Sequence, residues 1–345
     1  MNPLTWTILI STLSTSTIII MSCNHWLLAW LGLELNTLSI LPIIMKPHHP
    51  RATEATTKYF LVQTLAAALI LFASTMNAWQ TGNWTITTSS TLSNTLILSA
   101  LLLKMGIAPA HLWYPDIIQG SSMLTAMVIS TWQKLAPLTL LYLTINTTST
   151  YPLLLTGTLS VLIGGWGGLN QTQTRKILAF SSIAHMGWLM TALALSPHLA
   201  TITMLMYLLM TTTIFTTLTT PTTKTLKDLG STWSHSPTLV ATTTIILLSL
   251  GGLPPLTGFM PKLLILKELT LTGLFFPATT LALMSLPSLY FYTRMTYLTS
   301  LTIPPGTLNT KYKWRFKPNQ KLYPTLITPL ATMILPITPL IYTHT

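Results

Sequence analysis

Four charged residues stand inside long apolar runs of this 345-residue sequence: Glu34, Lys104, Lys134 and Lys262. Placing one such charge at the centre of a membrane helix costs about 2.5–3.5 kcal/mol, so four cost on the order of 10 kcal/mol before any pairing. The chemistry that would justify them is proton handling. Lysine is the cation that most readily gives up its proton when desolvated, and a nearby carboxylate restores its hold. Moving Glu34 toward or away from Lys104 would then bind or release one proton. His111 and His185 are relay candidates because an imidazole titrates near neutrality, and the many Ser and Thr hydroxyls can hold the waters a relay needs. The competing readings are structural ion pairing for the charges and an ordinary hydrogen-bonded interior ring for each histidine.

Such residues need a bilayer to be buried in, and the composition points to one. Only 6% of the residues are charged, against about 25% in an ordinary soluble domain, and 50% are hydrophobic. These proportions exclude a water-soluble globular enzyme, a disordered chain and a disulfide-stapled module. The net charge of +12 does not imply nucleic acid, whose partners carry dense Lys/Arg patches over a polar surface. The sole cysteine, Cys23, excludes an internal disulfide, an iron–sulfur cluster and a thiolate zinc site. His48-His49 has no further ligands at metal spacing, and with only His111 and His185 well inside apolar runs a paired-histidine haem is disfavoured. Met1 leads straight into an apolar stretch without a cleavage pattern, so the first segment is expected to insert and stay.

A membrane crossing takes roughly 20 mainly apolar residues. Eleven segments meet that length, near residues 3–22, 25–45, 58–79, 93–117, 121–143, 151–169, 176–195, 199–220, 238–267, 273–295 and 323–343. The expected fold is therefore all-α and polytopic. Threading the spans gathers Lys46, Arg51, Lys58, Asp116, Arg175, Lys176, Lys224, Lys227, Asp228, Lys311, Lys313, Arg315, Lys317 and Lys321 on one side. The other side receives only Lys267 and Glu268. The basic side is the inner one, which puts the N-terminus inside and the C-terminus outside. Gly164-Gly165-Trp166-Gly167-Gly168 lies within a span and reads as close helix packing rather than a phosphate loop.

Spans 93–117 and 238–267 are too long for one straight crossing and carry matching interruptions. Gly106-Ile107-Ala108-Pro109 with Pro115-Asp116 aligns, at one constant offset, with Gly252-Leu253-Pro254-Pro255 and Pro261-Lys262. Each interruption falls in the fourth of five spans, 3–143 and 151–295, and five spans per unit make the repeat inverted. A basic loop at 296–322 and a C-terminal helix at 323–345 complete the single membrane domain. Inverted repeats with a discontinuous helix at equivalent positions are transporter architecture.

Several stretches carry a resemblance over essentially the whole chain: His25-Trp26 to Gly32-Leu33-Glu34-Leu35-Asn36, His49-Pro50-Arg51-Ala52-Thr53-Glu54 to Lys58-Tyr59-Phe60, Gly168-Leu169-Asn170-Gln171-Thr172-Gln173 to Arg175-Lys176-Ile177-Leu178, and Ser249-Leu250-Gly251-Gly252-Leu253-Pro254-Pro255 to Phe259. On these the sequence resembles the antiporter-like proton-translocating membrane subunits of mitochondrial respiratory complex I, NADH:ubiquinone oxidoreductase, in a vertebrate form. The resemblance implies proton translocation coupled to NADH oxidation and ubiquinone reduction elsewhere in the complex. NADH, FMN, iron–sulfur clusters and ubiquinone would belong to other subunits, and no cofactor or metal to this chain. It places the family's membrane carboxylate on Glu34, its broken-helix lysine on Lys104, the neighbouring lysine on Lys134 and that of the second repeat on Lys262. Implied partners are the other membrane-arm subunits, neighbouring antiporter-like chains among them, and lipid; neither nucleic acid nor a homo-oligomer is expected. The implied location is the mitochondrial inner membrane, N-terminus toward the matrix and C-terminus toward the intermembrane space. Vertebrate members lack three N-terminal helices of bacterial relatives, in keeping with eleven spans. Ala110 and Asp116 depart from the pattern, which has an aromatic residue and Glu there. A free-standing Na+ or K+/H+ antiporter and a structural scaffold are the alternative functions.

Overall fold

The computed structural model describes residues 2–221, 223–234, 236–301 and 323–337. They form two compact units, Met1–Leu153 and Leu154–Thr345. The first contains α1 (Pro3–Ser22), α2 (Trp26–Met45), α3 (Pro50–Thr81), α4 (Thr91–Met105), α5 (Trp113–Gly120), α6 (Met123–Ser130) and α7 (Trp132–Leu143). Helix α8 (Thr150–Leu169) runs across the division. The second unit continues with α9 (Thr174–Leu195), α10 (Pro197–Thr219), α11 (Leu226–Ser231), α12 (Pro237–Gly251), α13 (Phe259–Leu271), α14 (Phe275–Ser300) and α15 (Tyr323–Met333). No β-strand occurs among the described residues.

Helices α1, α2, α3, α8, α9 and α10 are long and apolar enough to cross a membrane by length and composition. Helices α4 and α12 are apolar but have 15 residues each, about 22 Å, short of a hydrocarbon core about 30 Å thick. Each stops at a glycine in the left-handed region, Gly106 at φ +68° and Gly252 at φ +82°, a conformation that costs any residue with a Cβ. The chain then runs irregularly to α5 and to α13. Both interruptions expected from Gly and Pro are thus present.

Other boundaries differ from the sequence expectation. Helix α3 starts at Pro50, with the His49 ring accepting from the Arg51 N–H at 3.3 Å, so Arg51 belongs to a 32-residue helix that begins eight residues before the expected span. The segment 121–143 is not one helix: it divides at Thr131 (φ −111°, ψ −71°) into α6 and α7, six residues before Pro137. Between α10 and α12, α11 opens with a capping box between Thr225 and Asp228. The backbone N–H of Thr225 holds the Asp228 carboxylate below its ordinary range, so this cap is complete above the usual carboxylate pKa and is lost as the pH falls through the lowered one. In the C-terminal span, α15 ends at Met333 and a 3-10 turn follows at Leu335–Ile337. Residues 338–343 of that span, and Lys311, Lys313, Arg315, Lys317 and Lys321 of the basic loop, lie outside the described residues.

In the first unit α1 packs on α2, α2 on α3, and α3 on α4 and α5; in the second, α9 packs on α10 and α12 on α14. Each unit also ties two connections together by an isolated bridge, His25 to Thr85 in the first and Gln173 to Thr225 in the second. Ser and Thr hydroxyls inside the helices bond back to carbonyls three or four residues earlier, as in Ser39 to Asn36 and Ser249 to Ile246, which satisfies them without water. Arg294 on α14, which the span assignment left in no loop, donates from its guanidinium to the carbonyls of Leu169 at 2.7 Å and Gln171 at 2.5 Å. It thereby caps the C-terminal end of α8.

Candidate functional site

Lys104 occupies the last turn of α4, two residues before the Gly106 cap, and is 6% exposed. A cation there faces the negative end of the helix. Its backbone carbonyl accepts from Gln63 Nε2 on α3 at 3.3 Å, while its Nζ is buried with no hydrogen-bond partner among the described residues. Lys134 lies three residues past the Thr131 break, is 3% exposed, and sets its Nζ 4.8 Å from the centre of the Tyr114 ring on α5. Such a contact favours a cation over an aromatic face.

The two lysines share a cavity of about 20 Å³ that Asn36, Thr37, Tyr59, Gln63 and Gln133 also line. That volume admits about one water. Around it Gln133 Nε2 donates to Asn36 Oδ1 at 3.1 Å, and Tyr59 Oη donates to Gln133 Oε1 at 3.5 Å. The discontinuities at Gly106 and Thr131 are what bring Lys104 and Lys134 to one polar space. Glu34 is half-buried on α2, and its carboxylate accepts from Thr37 Oγ1 at 3.2 Å. It makes no ion pair with Lys104 within 4.0 Å. Among the described residues such pairs join Lys58 to Glu54 at 2.8 Å and Lys58 to Asp116 at 3.1 Å, both part-exposed. Asp116, the departure from the family pattern, therefore anchors Lys58.

In the second unit Lys262, in the first turn of α13 and 9% exposed, donates its Nζ to the carbonyl of Gly251 at 3.0 Å. The cation thus caps the negative end of α12 across the interruption. Its Nζ lies 5.9 Å from the Trp188 ring centre on α9. His185, three residues before Trp188 and so on the same face, places Nε2 3.4 Å from Tyr292 Oη and its ring 5.9 Å from that of Tyr207. His111 is elsewhere: it sits part-exposed in the segment between α4 and α5, Nδ1 3.1 Å from the carbonyl of Pro109, and does not line the cavity.

Sequence reasoning missed the uncharged members Asn36, Thr37, Tyr59, Gln63 and Gln133. Gln63 and Gln133 carried a usable signal, since amides deep in apolar spans need partners. Among the described residues no group of three or more His, Cys, Asp or Glu is placed to hold a metal.

Gly252 supports Lys262 directly. A Cβ built there lies 2.8 Å from Lys262 Nζ, on a backbone that costs a side chain about 1–2 kcal/mol. Gly252→Ala should displace the ammonium from the Gly251 carbonyl and lower the protein's thermal stability. Gly82→Ala is the control: its φ is +73° but nothing lies within 4 Å of the new Cβ, so its loss of thermal stability, from strain alone, should be the smaller of the two.

Comparison with known proteins places this architecture. The family model described as NADH:quinone oxidoreductase/Mrp antiporter, TM, matches residues 23–287, and that for the NADH dehydrogenase subunit 2 C-terminus matches residues 289–342. The NADH-ubiquinone oxidoreductase chain 2 of Carassius auratus is 53% identical over 100% of both chains; that of Xenopus laevis is 48% identical over 99% of this chain and 100% of its own. A chain of respiratory complex I from Thermus thermophilus with bound aureothin superposes with a TM-score of 0.85 at 26% identity, over 96% of this chain and 77% of that one. The Mrp complex from Dietzia sp. contains a chain of the same fold, with a TM-score of 0.80 at 16% identity over 97% and 75%. This chain therefore belongs to the NADH:quinone oxidoreductase/Mrp antiporter family, within its NADH-ubiquinone oxidoreductase chain 2 branch.

Proposed function

We propose that this chain is a membrane-arm subunit of respiratory complex I in the mitochondrial inner membrane, and that it carries protons through Glu34, Lys104, Lys134 and Lys262 while NADH oxidation and ubiquinone reduction proceed in other subunits. The observation that carries the assignment is the polar cavity between Lys104 and Lys134. Two buried lysines facing a space for one water, rimmed by amides and a phenol, can exchange a proton without exposing it to lipid. In this reading Glu34 modulates Lys104, Lys134 passes the proton onward, and Lys262 with His185 serves the second unit toward the exit or a neighbouring antiporter-like subunit.

Eleven crossings in two inverted five-helix repeats plus a C-terminal helix suit this role. Their support is the matched interruptions after Gly106 and Gly252 and the matched bridges at His25 and Gln173. The positive-inside bias supports an N-terminus in the matrix and a C-terminus in the intermembrane space. NADH, FMN, iron–sulfur clusters and ubiquinone are assigned to other chains of the complex. Neighbouring membrane-arm subunits and lipid are its partners.

Lys134→Ala tests the assignment. The complex should assemble and lose most NADH-driven proton uptake into vesicles; full pumping with altered assembly instead would make these charges structural. A free-standing Na+ or K+/H+ antiporter, disfavoured by full-length likeness to complex I chains, would exchange cations when reconstituted alone, whereas a subunit of the complex should be inert by itself.

A further inference from the structure

We infer that Thr37 is a relay hydroxyl joining the Glu34 carboxylate to the cavity that holds Lys104 and Lys134, an inference that rests on the proton-carrying role proposed above. Glu34 and Lys104 make no ion pair within 4.0 Å, and Glu34 is not among the residues lining the cavity. Thr37 reaches both. It is 5% exposed, lines the cavity, and places Oγ1 3.2 Å from Glu34 Oε2 and 2.8 Å from the Glu34 carbonyl. The second contact is the back-bond common to Ser and Thr within helices; the first is not. A hydroxyl carries one proton and two lone pairs. With two acceptors in reach, Thr37 must choose between them, and the carboxylate's protonation state sets the choice.

When Glu34 is ionised, the Thr37 proton points to Oε2. When Glu34 is protonated, its O–H can donate to Thr37 Oγ1, and the Thr37 proton is freed for the carbonyl or for a water in the cavity. Transfer then balances as a hop. The Glu34 O–H bond breaks as a new O–H bond forms on Thr37, the original Thr37 O–H bond breaks to the water, and that water yields a proton to Lys104 Nζ, whose buried nitrogen has no hydrogen-bond partner among the described residues. One proton leaves Glu34 and one arrives at Lys104, with no net change at Thr37. The reverse hop returns it.

Thr37→Val keeps the branched shape and removes the hydroxyl, while Thr37→Ser keeps the hydroxyl and removes a methyl. Complex carrying each variant, with Lys104→Met alongside, would be purified, reconstituted in vesicles and assayed for protons taken up per NADH oxidised. The expected result is that Thr37→Val falls to the Lys104→Met level and Thr37→Ser stays at the unsubstituted level. If Lys104→Met loses uptake but Thr37→Val does not, Thr37 is no relay although the proton-carrying role stands; if Lys104→Met keeps full uptake, that role itself fails. Equal loss in Thr37→Val and Thr37→Ser would mean that packing rather than the hydroxyl matters, and would overturn the inference. Should Thr37→Val not assemble, Thr37→Ala replaces it. If neither hydroxyl-free variant assembles while Thr37→Ser does, the hydroxyl serves folding and the inference falls.

Discussion

Lys104→Met in the assembled complex is expected to abolish NADH-driven proton translocation while leaving the complex intact. Loss of a buried lysine is usually hard to interpret, because removing one partner of a buried polar pair strands the other. Here the geometry separates the two effects. The hydrogen bond that ties Lys104 to α3 uses its backbone carbonyl and Gln63, and a methionine preserves it. Among the described residues the side-chain Nζ makes no hydrogen bond that would be orphaned. Met is unbranched and fills a lysine's space without strain. Exchanging a buried ammonium for a thioether lowers the insertion cost by about 2.5–3.5 kcal/mol on the helix-centre scale, so assembly should be undiminished. What disappears is the only titratable group on α4 that faces the cavity shared with Lys134. Vesicles containing the variant complex should show no NADH-dependent proton uptake. An unchanged number of protons per NADH would remove Lys104 from the pathway.

Gly258→Ala is expected to have the larger effect on the fold. Gly258 immediately precedes α13, and a Cβ there falls inside the van der Waals envelope of the Ser249 carbonyl oxygen, 2.8 Å from that carbonyl's carbon and 3.2 Å from Met210 Sδ. The obstacle is backbone of α12, not a side chain that can swing aside, so the loop between α12 and α13 must move as a whole. That displaces Thr257, whose hydroxyl donates to the Ala331 carbonyl on α15 at 2.6 Å, and Lys262 one turn further on. Overpacking of this kind costs about 3 kcal/mol or more, enough to reduce the steady-state amount of a marginally stable protein several-fold. Assembled complex should fall at least that far in membranes carrying Gly258→Ala. Gly251→Ala, whose new Cβ would meet Tyr292 at an ordinary 3.7 Å, should accumulate normally. Equal accumulation of the two variants would mean that the α12–α13 loop yields more easily than its contacts indicate.

Much of the site is legible in the amino-acid sequence. Glu34, Lys104, Lys134 and Lys262 stand out because the bilayer makes charge expensive wherever it sits, and Gly106 and Gly252 mark the interruptions because only glycine enters the left-handed region cheaply. The structure buries Lys104 and Lys262 beside the two expected interruptions, and Lys134 three residues past a break at Thr131 that was not expected. Glu34 lies midway along α2 without an ion pair to Lys104, and Thr37 bonds its carboxylate and lines the cavity. The structure also places His111 in a part-exposed turn and divides the fifth apolar segment at Thr131, six residues before Pro137.

By itself, the sequence determined the class of protein, the positions of the costly charges and the two glycine-marked interruptions. Each of these depends on a cost paid locally, residue by residue, whatever the chain does elsewhere. Which residues meet was decided only by the tertiary structure. The cavity gathers Asn36 and Thr37 from α2, Tyr59 and Gln63 from α3, Lys104 from α4, and Gln133 and Lys134 from α7, and that meeting depends on how each helix is turned about its axis and where its neighbour crosses. Uncharged amides and hydroxyls cost too little in any one helix to announce themselves, so their role appears only once packing has set them around a common space.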